Sequence, residues 1–128
     1  MKVSIPASTG ELFDKITILE IKMEKIRDNE KTVQVKKELK LLKEVVKKKK
    51  LKTKKISLIT KKLKTVNLKL WNVEDKLRKL EKDKIFNKEF IKQARNVYFS
   101  NDKRASLKNE INLISNSKII EVKSYEKY

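Results

Sequence analysis

Residues 54–82, KKISLITKKLKTVNLKLWNVEDKLRKLEK, decide the fold. Ile56, Ile59, Leu63, Val66, Leu70, Val73, Leu77 and Leu80 fall alternately three and four residues apart, which lines one face of a helix without interruption. A seam of that regularity packs against other helices at shallow crossing angles, so the stretch predicts an all-α, antiparallel bundle of about four helices with coiled-coil-like, heptad packing. Towards the N-terminus lies the run Lys47 to Lys55, in which seven of nine residues are lysine. Like charges one turn apart oppose helix, and a basic loop over 47–55 is expected to separate this helix from the one before it. That earlier helix, about 30–47, carries Val35, Leu39, Leu42 and Val46 at heptad spacing.

The first helix, about 8–28, opens on a capping box in which Ser8 caps the N-terminus and Glu11 follows three residues later. Leu12, Ile16, Leu19, Met23 and Ile26 form its main stripe, while Asp14, Thr17, Ile18 and Ile21 lie on the opposite side. A helix apolar on two faces is central to a bundle or shared between subunits, and a homodimer through the second face is expected. After the seam a connector at Asp83–Asn87 leads to a last helix, about 88–116. The two ends, Lys2–Ile5 and Ile119–Lys123, alternate as short strands do and could pair as a two-stranded ribbon. One helical domain over residues 1–128 accounts for this length, which suffices for a single core.

Composition removes most chemistry. The chain has no histidine and no cysteine, which excludes disulfides, thiolate or imidazole metal sites and the common catalytic triads. With one glycine, Gly10, and one proline, Pro6, it cannot build a glycine-rich phosphate loop. No metal and no cofactor are expected. Met1–Pro6 lacks the apolar stretch of a signal peptide, and no apolar run is long enough for a membrane span, so a soluble, cytoplasmic protein is expected.

The net charge of +18 is local: residues 36–69 carry 15 basic and 2 acidic side chains, whereas residues 1–35 carry 6 of each. A nucleic-acid surface formed by Lys47, Lys48, Lys49, Lys50, Lys52, Lys54 and Lys55 is one reading. Against it, no aromatic residue is interleaved between Lys36 and Lys69 to stack on bases. Lysine supplies 31 of the 35 cations, alongside abundant Ile and Asn, as A/T-rich codons would produce. In that background the four arginines, Arg27, Arg78, Arg95 and Arg104, point to positions that need a planar, bidentate donor.

The last helix holds the most informative stripe. Phe90, Ala94, Val97, Asn101, Arg104, Lys108, Ile111 and Ser115 keep one phase, yet the stripe turns polar halfway, which places an amide and two cations on the inward face. Burying them unpartnered would cost several kcal/mol, so either carboxylates such as Asp14, Glu74 or Asp75 neutralise them or an anionic ligand does. On helix three, Asn67, Trp71, Glu74 and Arg78 form a polar stripe beside the seam. The candidate ligand-binding set is therefore Asp14, Lys15, Asn67, Trp71, Glu74, Arg78, Tyr98, Asn101, Arg104 and Lys108, arranged as a cation-lined, anion-binding pocket between helices.

These same segments carry a resemblance. Gly10–Lys22, Val66-Asn67 with Leu70-Trp71 and Glu74-Asp75, Ala94-Arg95 with Val97-Tyr98, Asn101-Asp102 with Arg104-Ala105, and Lys123-Ser124-Tyr125 are similar to a family of short uncharacterised bacterial and phage proteins. The resemblance spans nearly the whole chain and loosens near the lysine run. It implies no activity; some members of that family sit near genes for surface polysaccharides. Three functions follow from the residues themselves: a binding or interaction module with a small anionic ligand, non-specific nucleic-acid binding through Lys47–Lys55, or an all-helical enzyme by analogy with the chorismate mutases, which need no histidine.

Overall fold

The structure, a computed structural model, describes residues 1–128 as four helices with no strand: α1 (Thr9–Lys25), α2 (Asn29–Lys48), α3 (Lys54–Lys82) and α4 (Lys88–Ile114). Each start has a local cause. Ser8 accepts from the Glu11 amide at 3.0 Å, Thr53 from Ile56 at 3.2 Å and Asn87 from Phe90 at 3.2 Å, while Asp28 takes the amides of both Glu30 and Lys31. These side chains satisfy donors that have no partner inside a first turn.

The ends of α2, α3 and α4 share another device. Lys50, Lys84 and Asn116 adopt left-handed backbone with φ of 51°, 56° and 54°. Each lets the following amide reach back to close the helix: Leu51 to Val46, Ile85 to Leu80 and Ser117 to Asn112. Glycine normally fills this position, and lysine and asparagine do so here at a small conformational cost. The break in the lysine run is thus a specific turn.

Helices α3 and α4 form a long antiparallel hairpin, tied near its turn by the Lys76–Glu89 ion pair. Helix α1 runs antiparallel to α4, with Gly10 against Asn112 and Asp14 against Arg104, and it packs on all three other helices. Phe13, Ile56, Leu63, Val66, Leu107 and Ile111 form the core where α1, α3 and α4 meet. All eight seam residues of α3 are buried or half-buried. Helix α2 lies against α1, and Val46 with the following Leu51 reach the core, but none of its twenty residues is fully buried.

Four expectations need correction. Helix α1 ends at Lys25 rather than near residue 28, since Ile26 is already extended and Asp28 caps α2. The second face of α1 is largely covered within the chain, with Thr17 0 % and Ile21 1 % exposed, and only half-buried Ile18 stays open along a groove, so little of the apolar face expected to form a dimer is left free. No ribbon joins the ends. Instead the Asn109 side chain takes both the N–H and the carbonyl of Glu121, holding that segment along α4. On α4 only Lys108 and Ile111 of the expected stripe are fully buried; Gln93, Ser100 and Leu107 are buried to one side of it and Asn112 to the other, the second half of the helix meeting α1 at Arg104, Lys108 and Asn112. No helix is long and apolar enough to cross a membrane.

Candidate functional site

Asp14 is the pivot of the interior. It is 1 % exposed, on the side of α1 facing both α3 and α4. Arg104 grips it from α4 with both prongs of a fork, Nε to Oδ1 at 2.9 Å and Nη2 to Oδ2 at 2.6 Å. Asn67 donates from α3 to the same Oδ1 at 2.9 Å and to the Thr17 hydroxyl at 2.9 Å. Thr17 in turn donates to the Asp14 carbonyl at 2.7 Å. One carboxylate thereby ties three helices together, and its charge-assisted bonds offset the desolvation of a buried ion. Hydrogen bonding to Asp14 outweighs burial and holds the Arg104 guanidinium even more firmly in its charged form.

The second interior cation is satisfied one turn further along α4. The Lys108 ammonium lies 2.7 Å from Glu11 and 3.1 Å from Glu121, with its side chain only 7 % exposed. Burial would lower its pKa, but the two carboxylates reverse the sign and the pKa is raised. Beside it, α1 and α4 come into backbone contact: a Cβ on Gly10 would sit 2.2 Å from the Lys108 carbonyl oxygen. The Gly10 amide donates to Asn112 at 2.6 Å and the Thr9 amide to Ser117 at 3.2 Å. With Ser8 serving Glu11, the first turn of α1 has its exposed donors occupied by side chains, which leaves little for an anion to take.

Between α1, α3 and α4 runs an open groove of about 340 Å³, lined by Ile18, Ile21, Asn67, Leu70, Trp71, Glu74, Asp75, Arg78 and Arg104. The residues from α3 recur at intervals of three and four, so the groove follows one face of that helix. Ile18, Ile21, Leu70 and Trp71 make it apolar at the middle. Arg104 enters at the end where Asn67 lies, its inner edge spent on Asp14 and its Nη1 without a protein acceptor. At the far end Glu74 pairs loosely with Arg78 at 3.7 Å and Asp75 with Lys79 at 3.6 Å, all well exposed.

Six of the ten predicted ligand-binding residues therefore gather here: Asp14 beneath the floor and Asn67, Trp71, Glu74, Arg78 and Arg104 in the wall. Four do not. Lys15 pairs with Glu38 of α2 at 2.9 Å, and Lys108 lies in its own buried cluster. Tyr98 is 44 % exposed and joins Phe99 and Tyr128 in a surface aromatic cluster, in which the Tyr128 hydroxyl bonds to Asp102. Asn101 is half-buried and does not line the groove. The interior cations meet internal carboxylates rather than an open cavity, Asp14 for Arg104 as one reading held, and Glu11 with Glu121 for Lys108, which sequence reasoning missed. Ile18, Ile21, Leu70 and Asp75 are the wall residues outside the predicted set.

Lys47 to Lys50 end α2 and form its turn, and Lys52, Lys54 and Lys55 follow, all exposed. No three carboxylates converge closely enough to hold a metal ion. Among curated proteins and among solved structures nothing matches the chain. A match to a family of unknown function, DUF6165, runs over residues 1–128, and the chain belongs to that family.

Proposed function

We propose that the protein is a binding module whose ligand lies in the groove over Trp71 and presents a hydrogen-bond acceptor, such as a carboxylate, to Arg104. One observation carries this reading: Arg104 is fixed on its inner edge by buried Asp14 while its outer nitrogen, Nη1, has no protein partner at the end of an apolar groove. A guanidinium held in one rotamer is a better receptor than a free surface cation, because little side-chain entropy remains to be lost on binding. The half-buried indole of Trp71 offers a flat apolar surface next to it. Neutralisation by Asp14 makes Arg104 a directed donor more than a trap for bare anions. The lysine run supports a nucleic-acid reading by charge alone.

Trp71 is the chain's single tryptophan and reports on the groove directly. Titration with 4-methylbenzoate should give a saturable change in its emission. Arg104→Lys, which keeps a cation near Asp14 but loses the planar fork, should weaken that response about tenfold, equivalent to ~1.4 kcal/mol. A linear, non-saturating response, or equal affinity in Arg104→Lys, refutes the proposal.

A further inference from the structure

The charges around the groove narrow the ligand further, given the binding reading above. The protein as a whole is strongly cationic, at +18, yet this groove is not. Arg104 is already neutralised by Asp14, and what remains along the wall is Glu74 and Asp75 against Arg78. The two carboxylates are half or more exposed and held only by long, exposed contacts of 3.7 and 3.6 Å, which compete weakly with an incoming partner. Asn67 offers an anion no donor, because its Nδ2 already donates to Asp14 and Thr17, and only its carbonyl oxygen, an acceptor, is left. A purely anionic ligand would gain a donor at one end and meet carboxylates at the other.

Spacing gives the second constraint. Asn67, next to Arg104 across Asp14, and Glu74 are seven residues apart on α3, which is roughly 10 Å along the helix axis at about 1.5 Å per residue. Trp71 and Leu70 lie between them. We infer that the groove takes an elongated zwitterion: an acceptor group on Arg104, an apolar or aromatic body across Trp71, and an ammonium or guanidinium between Glu74 and Asp75. A short peptide bearing a basic side chain has this chemistry, as does an ω-amino acid.

Three probes on the same para-substituted ring separate the parts: 4-(aminomethyl)benzoate carries both charges, 4-methylbenzoate the anion alone and 4-methylbenzylamine the cation alone. Measured through Trp71 emission on the full chain, the zwitterion should bind at least tenfold more tightly than either half. In a variant with Glu74→Gln and Asp75→Asn, both exposed positions where folding is not at stake, that advantage should fall to less than threefold while 4-methylbenzoate binds at least as well as before. Equal affinity of zwitterion and anion in the unmodified protein, or an advantage unchanged in the double variant, overturns the zwitterion while leaving the groove intact as a carboxylate site. If none of the three probes saturates, the groove is no binding site and both readings fall.

Discussion

Helix α2 and the α1–α3–α4 assembly are both helical, both rich in lysine, and held by different physics. The assembly buries polar groups in pairs: Asp14 with Arg104 and Asn67, Lys108 with Glu11 and Glu121, Gly10 with Asn112. Helix α2 has no buried residue and is fastened by half-buried Val35, Leu39, Leu42 and Val46 and by exposed ion pairs, Lys15–Glu38 at 2.9 Å and Lys43–Glu20 at 3.9 Å. The same chemical pairing, cation with carboxylate, is therefore expected to matter greatly in one region and hardly at all in the other. Burial decides, because a stranded charge in the interior cannot turn to water.

The largest effect should come from Arg104→Met, which leaves Asp14 buried with Asn67 as its remaining side-chain partner. A loss of about 3 to 5 kcal/mol is expected by denaturant unfolding, with much of it restored when Asp14→Asn is added. Full stability in Arg104→Met would dissolve the contrast between the two regions. An intermediate effect should follow pH. The pKa of Lys108 is raised in the folded chain, against its own burial, by Glu11 and Glu121, so its stabilisation is complete below the unfolded value of about 10.4 and is lost as pH climbs through the folded value. The melting temperature should accordingly fall more steeply above about pH 10.4 in the unmodified protein than in Lys108→Gln. Smallest of all, Lys15→Gln on the α2 side should change stability by less than about 0.5 kcal/mol. A loss there above about 1 kcal/mol would mean that α2 is fastened as firmly as the rest.

What could be read in advance follows the same divide. The seam of α3 and the two-sided character of α1 were legible because both are written in apolar residues at helical spacing. Ser8 with Glu11 marked the start of α1 by itself. Phe13 escaped both stripes of α1 yet lies in the core. On α4 the buried line passes through Gln93 and Ser100, and polar residues in core phase leave no trace in a hydropathy pattern. Partners of buried charges were legible only in part: Asp14 was a candidate for Arg104 because it shared a face with Thr17 and Ile21. Glu121 was hidden, since it reaches Lys108 from a segment without periodic structure that is placed by Asn109. The breaks after α2 and α3 were legible in the lysine run and in Asp83–Asn87, but the left-handed turns at Lys50 and Lys84 that make them were not, glycine being absent where it usually announces such a turn.

Gly10 sets how the groove can behave. Its missing side chain lets α1 rest on the backbone of α4 at Lys108, and the spacing is then locked by the Asn112 bond and by the fork of Arg104 one turn away. Two helices meshed backbone to backbone cannot slide or roll past each other without losing both contacts. The wall that carries Ile18 and Ile21 is tied in turn to the one that carries Trp71 by Asn67, which reaches from α3 to Asp14 and Thr17. A ligand of the kind proposed would then meet a preformed slot rather than a closing jaw, and its own length, not a rearrangement of the protein, would decide whether it fits.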